Sequence, residues 1–265
     1  MEETTAIDKT MAEESNTRRP RSFMRRLQYW WSLFLAGALL GVIGPPVLIV
    51  AWLVNKHDLV YPFASFGASL WLRWSGVRVE LRGRELLDPK QTYVFVSNHR
   101  SYLDTAALFL FTGRRIGLLA KKELLKVPVL GVGMGFVNVM AIDRSNRESA
   151  IRTTDAAAER IRSGISFGVF VEGTRALPGE LLPFKKGAFY MARQAGVPVV
   201  PVAIKHSDEL MGKRTGEAKS GTMEMIFMQP VPTTNIATDD DMNELIAGVR
   251  GSIAQALGLQ GKVVG

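Results

Sequence analysis

One of the three histidines has an acidic residue at a spacing that suits proton transfer. His99 and Asp104 stand in the stretch 98–104, directly after the apolar run 93–96. On one continuous helix, two side chains five positions apart point about 140° away from each other, so His99 and Asp104 would not meet. They would meet only if His99 lies in a turn and Asp104 in the first turn of a helix, with Ser101 as its N-cap. Asp104 would then hold one imidazole nitrogen as a donor and leave the other as a general base. A capping box beside a solvated histidine is the alternative.

A second polar turn follows another apolar run. Glu172-Gly173-Thr174-Arg175 comes after the run 165–171. Glycine permits a turn at the carboxyl end of a strand. An arginine there suits a phosphate because its guanidinium donates two parallel hydrogen bonds. Taken alone, the segment favours a surface turn with a solvated arginine.

The composition narrows the chemistry. The chain has 265 residues and no cysteine, which excludes a cysteine nucleophile, a thiolate metal site and a disulfide scaffold. His57 and His206 have no acid in a comparable local arrangement, and we expect both to be solvated or interfacial. The 33 Lys and Arg against 25 Asp and Glu give a net charge of +8, which favours an anionic partner such as phosphate, a phospholipid headgroup or nucleic acid. We expect no metal and no cofactor.

Several segments, in order along the chain, resemble the glycerolipid acyltransferase family. They are residues 98–104, 120–124, 142–144, 172–175 and 197–202, and the likeness extends over residues 77–233. The resemblance implies transfer of a fatty acyl group from an acyl thioester, either acyl-CoA or acyl carrier protein, to the free sn-2 hydroxyl of lysophosphatidate, which gives phosphatidate. A thioester is already activated, so this reaction needs a base and no enzyme nucleophile.

The same resemblance implies roles for individual residues. His99 and Asp104 would be the catalytic pair, and Lys121 would contact the phosphate. The acceptor would be bound by Arg144, Glu172, Gly173, Thr174 and Arg175. The chain departs from the family pattern at two places, with Val171 where proline is frequent and Asn138-Val139-Met140 where a glycine-bearing approach is common.

These motifs need a scaffold that brings them together. From Val77 onward, short β-branched and apolar runs alternate with helical stretches, which predicts an α/β fold with a mostly parallel sheet flanked by helices. The predicted strands are 77–81, 93–96, 116–120, 137–142, 165–171, 199–204 and 223–228, and the predicted helices are 103–111, 128–136, 147–162, 186–195 and 242–257. Because ligands bind at the carboxyl ends of such strands, Lys121, Arg144 and Arg175 are expected to converge there.

The N-terminal part has the character of a membrane segment. We divide the chain into a polar and polybasic tail (1–26), a membrane-associated helical segment (27–76) and an acyltransferase domain (77–265). Residues 27–55 carry no charge, follow a cluster of arginines and have aromatic residues near both ends, as is typical at a headgroup interface. Gly44-Pro45-Pro46 predicts a helix break. A kinked span and a re-entrant hairpin remain alternatives, whereas a signal peptide is disfavoured because the apolar region is too long.

The arginines place the N-terminus in the cytoplasm by the positive-inside rule. A re-entrant hairpin would keep the catalytic domain of a membrane-bound enzyme on that side, where soluble thioesters are made. Two other functions stay open: an acyltransferase for glycerol 3-phosphate or a lyso-aminolipid, and a non-enzymatic protein that holds anionic lipid. Nucleic acid is not an expected partner, because the chain has no base-reading motif.

Overall fold

A seven-stranded, mostly parallel sheet forms the centre of the computed structural model, which describes residues 22–56 and 59–259. The strands are β1 Val77–Arg82, β2 Val94–Ser97, β3 Ile116–Lys121, β4 Val139–Ile142, β5 Ser166–Phe170, β6 Val199–Lys205 and β7 Gly221–Phe227. The helices are α1 Phe23–Leu53, α2 Val60–Trp74, α3 Leu103–Phe111, α4 Leu130–Phe136, α5 Arg147–Arg162, α6 Gly187–Ala195, α7 Ser207–Met211 and α8 Asp239–Leu257. The predicted α/β class is confirmed.

The strand order is β1-β7-β6-β2-β5-β3-β4, and the paired strands are parallel except for β6 and β7. Every residue of β2 is buried, because helices cover both faces of the sheet at its centre. Phe95 belongs to the apolar core that includes Leu103 and Leu108 of α3. Its neighbours Val94 and Val96 belong to the core on the other face. Successive side chains of a strand point to opposite faces, so β2 joins the two cores.

The two faces of the sheet carry different helices. One core collects α2 and α3, with parts of α1 and α4 against it. The other collects α5, α6 and α8, represented by Ile161, Phe189 and Ile253. The membrane-like N-terminal segment therefore packs on one face, while the face covered by α5 is separate from it.

Several boundaries differ from the sequence prediction by one to three residues, and two of these differences have clear local reasons. The helix predicted to begin at residue 242 begins at Asp239, because Thr238 caps it: the Thr238 hydroxyl accepts from the Asp241 amide and the Asp241 carboxylate accepts from the Thr238 amide. The strand predicted to begin at residue 137 begins at Val139, because Asn138 has a left-handed φ of 57° that interrupts extended backbone. The short helix α7 was not predicted.

The predicted break at Gly44-Pro45-Pro46 is wrong, because α1 runs through all three residues. The two prolines remove only their own two amide donors, and the apolar residues on both sides continue the helix. Gly44 has a packing function instead, since a Cβ at this position would overlap the Val129 side chain. Glycine therefore lets α1 approach the start of α4 closely.

Helices α1 and α2 form a hairpin. The Ser32 hydroxyl lies 2.7 Å from the Ser75 hydroxyl, and the Trp71 indole donates to the Ser32 carbonyl at 3.0 Å. The beginning of α1 thus lies beside the end of α2, which leads directly into β1. Within the described part of the chain, α1 is the one helix long and apolar enough to cross a membrane. Arg18, Arg19 and Arg21 of the arginine cluster lie outside the described residues.

Candidate active site

The sheet order brings the polar motifs to one edge. Strands β2, β5, β3 and β4 are consecutive neighbours and run parallel. Their carboxyl ends lead to His99, to the turn 172–175, to Lys121 and to Arg144, respectively. One cavity of about 690 Å³ is lined by His99, Lys121, Arg144 and residues 173–175, but not by Glu172.

His99 lies in the turn between β2 and α3, and its Nδ1 is 2.9 Å from Oδ2 of Asp104. The same carboxylate oxygen accepts from the backbone amides of Arg100 at 2.6 Å and Ser101 at 2.8 Å. Asp104 is fully buried in the first turn of α3. Three contacts on one oxygen fix the carboxylate, and a carboxylate beside Nδ1 favours the tautomer that carries its proton on Nδ1.

The Ser101 side chain makes the cap contacts predicted for it, although α3 is assigned from Leu103 onward, because Tyr102 between them already has helical backbone angles of φ −63° and ψ −29°. The Ser101 amide in turn donates to the Asp104 carboxylate. The Ser101 hydroxyl accepts from the Leu103 amide at 3.2 Å and donates to the Met211 carbonyl at 2.7 Å. Ser101 therefore connects the histidine turn to α7.

The plane of the imidazole is set by Phe170, the last residue of β5. The two rings stack with centroids 4.0 Å apart and planes 16° apart. The His99 side chain is 17% exposed and lines the cavity. The ring is thus held on one side by Asp104 and on one face by Phe170, and it remains accessible to a ligand.

Glu172 does not contact the cavity, in contrast to the acceptor contact expected from the family resemblance. It is buried, with Oε1 accepting from the His99 amide at 2.8 Å and Oε2 from the Leu182 amide at 2.7 Å. Burial raises the pKa of Glu172 to about 7, while the two amide donors and the nearby Arg100 guanidinium act in the opposite direction. Both oxygens are used in joining the histidine turn to the loop after β5, so Glu172 positions the turn.

Two further positioning residues were missed by sequence reasoning. Asn98 is buried and exchanges two hydrogen bonds with the backbone of Ile204, at 2.9 and 2.8 Å, which fixes the end of β2 on β6. The Arg100 side chain is 8% exposed and lies 3.5 Å from the buried carboxylate of Asp208, and it donates to the Glu180 carbonyl at 2.7 Å. The partners of both residues are remote in sequence, so no local pattern indicates these contacts.

Three cations line the same cavity as His99. The Arg175 guanidinium lies 3.8 Å over the ring of Tyr102, and Arg144 donates a hydrogen bond to the Gly173 carbonyl. Lys121 lies 3.4 Å from Glu123 and remains exposed. Gly173 adopts a φ of 70°, which favours glycine, and this turns its carbonyl toward Arg144. Thr174 also lines the cavity.

Glu123, Thr105 and Tyr102 also line the cavity, and most of the remaining wall is apolar. It is built by one side of α1, one side of α2, and α4 with the residues before it. Its apolar lining includes Leu39, Leu40, Ile43, Leu48, Phe63, Ala64, Trp71, Leu124, Leu130 and Met134. The arrangement can hold a polar, anionic group beside the imidazole and a hydrocarbon chain between the helices.

The other histidines differ from His99. His206 does have an acidic partner, contrary to the sequence prediction, since its Nδ1 lies 2.8 Å from Glu209. This pair is exposed and lies outside the cavity. His57 falls outside the described residues. Within residues 22–56 and 59–259, no group of three or more His, Asp or Glu side chains is placed to hold a metal ion.

Comparison with known proteins identifies the family of the chain. The Acyltransferase family model matches residues 78–205. The chain is 37% identical over 179 residues to the 1-acyl-sn-glycerol-3-phosphate acyltransferase alpha of Homo sapiens, covering 67% of this chain and 63% of the human protein. It is 32% identical over 225 residues to a putative 1-acyl-sn-glycerol-3-phosphate acyltransferase of Caenorhabditis elegans, covering 84% and 77% of the two chains.

The fold has a known counterpart as well. The crystal structure of a 1-acyl-sn-glycerophosphate acyltransferase from Thermotoga maritima superposes with a TM-score of 0.74, covering 88% of this chain and 96% of that chain at 24% identity. The matched region spans less than two thirds of the human relative. The family match and the extent of the Caenorhabditis elegans alignment lead to the same conclusion. The chain belongs to the acyltransferase family that includes the 1-acyl-sn-glycerol-3-phosphate acyltransferases.

Proposed function

We propose that this protein transfers a fatty acyl group from an acyl thioester to the free sn-2 hydroxyl of lysophosphatidate, giving phosphatidate at a membrane surface. The observation that carries the proposal is the hydrogen-bonded pair of His99 and Asp104 in a cavity that is cationic at the sheet edge and apolar between the helices. Family membership supports the reaction class, and the matched human relative is named for this acceptor.

His99 is the catalytic base in this reaction. Asp104 keeps Nδ1 protonated, so Nε2 has the free lone pair. The acceptor hydroxyl gives its proton to Nε2 while its oxygen attacks the thioester carbonyl carbon. Collapse of the tetrahedral intermediate breaks the carbon–sulfur bond, and the imidazolium returns the proton to the leaving thiolate. The products are the new ester and a free thiol.

The acceptor phosphate is assigned to Arg144, Arg175 and Lys121. A phosphate close to a dianion needs more than one fixed cation to leave water. Arg175 is held in place by stacking on Tyr102, and Arg144 by the Gly173 carbonyl. Gly173 and Thr174 complete this side of the cavity.

The apolar part of the cavity favours acceptors and donors that carry long acyl chains. Glycerol 3-phosphate would leave this apolar surface unfilled, whereas lysophosphatidate brings a hydrocarbon chain that covers it. Acyl-CoA and acyl carrier protein both present the acyl group as a thioester, and both are donor candidates.

The helical hairpin supports a re-entrant arrangement in the membrane. Because the beginning of α1 lies beside the end of α2, the chain returns to the side from which it entered. The catalytic domain then faces the cytoplasm together with the arginines at the N-terminus. A single cysteine at exposed Asn243, in a chain without native cysteine, should resist an impermeant thiol reagent added to intact cells. Labelling from outside would contradict the proposed topology.

Acyl transfer is tested directly with the purified full-length chain. Labelled acyl-CoA and acyl carrier protein thioesters are each offered with lysophosphatidate, glycerol 3-phosphate or a lyso-aminolipid, and the products are resolved by headgroup. We expect phosphatidate from lysophosphatidate, loss of this product in His99→Ala, and near wild-type activity in the matched control His206→Ala. Transfer to another acceptor would correct the substrate. Lipid binding with no transfer to any acceptor would favour the non-enzymatic alternative.

A further inference from the structure

Exposed apolar side chains are concentrated in one short part of the catalytic domain. Residues 122–136, here called the 122–136 segment, contain a 3₁₀ turn at Lys122–Lys126 and the helix α4. Leu125 is 53% exposed and Val132 is 65% exposed, and Leu124 and Val127 are exposed as well. Four exposed aliphatic side chains so close together form a patch, which distinguishes them from the scattered exposed leucines of ordinary surfaces.

This patch continues the surface of α1. Gly44 of α1 lies against Val129, which precedes α4, and Leu48 of α1 lies against Gly133 of α4. The candidate membrane helix and the 122–136 segment therefore meet through apolar residues.

The charges beside the patch are mainly positive. Between residues 121 and 136 there are three lysines and one acid. Lys121 is paired with Glu123 and Lys122 with Asp143, while Lys126 is exposed. The exposed Lys126 at the edge of the aliphatic side chains fits a bilayer with anionic headgroups, because a lysine stem lies along the apolar surface and its ammonium group reaches the phosphates.

The patch also borders the entrance to the active site. Leu124, Leu130 and Met134 of the 122–136 segment line the cavity that contains His99, whereas Leu125 and Val132 do not. We propose that the 122–136 segment is a second membrane contact, which docks on an anionic phospholipid bilayer beside α1 and places the cavity at the lipid surface. The consequence for catalysis rests on the proposed function, since a lipid acceptor would then enter from the bilayer.

The contact is tested by a label that reports lipid without requiring activity. Val132→Cys in the full chain, which has no native cysteine, is labelled with an environment-sensitive fluorophore and reconstituted into vesicles of phosphatidylcholine and phosphatidylglycerol. The matched control is Ile151→Cys, because Ile151 is 50% exposed on α5, against the opposite core. We expect quenching by nitroxide-bearing lipids at position 132 and none at 151. Equal, water-like emission at both positions would overturn the proposal.

A second measurement separates docking from chemistry. The doubly substituted chain Leu125→Glu and Val132→Glu should lose roughly fivefold or more in kcat/KM for lysophosphatidate presented in the same vesicles, because two apolar contacts are replaced by anions. It should keep wild-type activity toward a short-chain, water-soluble lysophosphatidate. Ile151→Glu should change neither. If the vesicle activity of the double variant is unchanged, the segment does not dock.

The two measurements fail in different ways. If no acyl transfer occurs with any acceptor, the proposed function is wrong, and lipid quenching at position 132 still decides the membrane contact. If transfer occurs but position 132 stays in water, the proposed function stands and the second contact is wrong.

Discussion

Asp104→Asn should reduce turnover by a factor that the geometry of the histidine turn determines. All three donors around Asp104 converge on one oxygen: the His99 imidazole and the amides of Arg100 and Ser101. In the asparagine variant, two fixed backbone N–H groups favour the amide oxygen in that place and repel the NH₂ group. The variant thus retains an acceptor facing His99, so the imidazole keeps the tautomer that leaves Nε2 free.

The loss is then mainly electrostatic. The carboxylate oxygen lies 2.9 Å from Nδ1, and an opposite charge at about 4 Å is worth about 4 kcal/mol near a protein surface. Part of this is recovered by the neutral hydrogen bond that remains. A net loss of roughly 3 to 4 kcal/mol in the transition state corresponds to a kcat lower by roughly 10² to 10³. Complete removal of the base in His99→Ala should cost more, up to about 10⁴.

Release of free thiol from an acyl-CoA donor, followed with a chromogenic thiol reagent, measures both variants. The chain contributes no background, since it has no cysteine. Circular dichroism and membrane association should match those of the wild type. Activity of Asp104→Asn within a few-fold of the wild type would refute the role of the carboxylate. A loss equal to that of His99→Ala would refute the retained tautomer.

Three further predictions test the surroundings of the pair. Arg175→Ala should lower kcat/KM for lysophosphatidate by an amount that corresponds to about 2–4 kcal/mol of binding or transition-state free energy. Arg175→Lys should not restore kcat/KM, because lysine lacks the planar group that stacks on Tyr102. A change confined to kcat/KM for the thioester would contradict the phosphate assignment. The pKa of Glu172 is raised to about 7 from 4.5, so the folded state holds a proton on this carboxyl at pH values where the unfolded state has lost it. This difference stabilises the folded state by an amount of the order of 3 kcal/mol, which is fully present below about pH 4.5 and is lost as the pH rises through about 7. Denaturant unfolding across this range should show a flatter pH dependence in Glu172→Gln, and identical curves would be evidence against the buried acid. Arg100→Met should lower the free energy of unfolding by about 3–5 kcal/mol, because it leaves Asp208 buried without its cation. Adding Asp208→Asn should recover part of that loss. If the losses of the two single variants simply add in the double variant, as measured by denaturant unfolding, the two side chains are not coupled.

Local features of this protein were predictable from sequence. Helices α3 and α5 begin and end where the apolar periodicity predicts, and the strands follow the β-branched runs to within about two residues. The relation of His99 to Asp104 was also predictable, because a turn followed by the first turn of a helix involves only neighbouring residues. Parallel strand direction was enough to expect Lys121, Arg144 and Arg175 at one edge.

The tertiary structure decided the roles that depend on distant partners. Glu172 binds the amide of His99, 73 positions away, and Arg100 reaches Asp208, 108 positions away. These contacts follow from the placement of β2 between β5 and β6, a strand order that local periodicity does not encode. Gly44 shows the same limit, since a helix-breaking pattern became a close contact with Val129 once α4 was packed against α1. Short-range propensity sets the elements, whereas burial against remote elements determines what each polar side chain in them does.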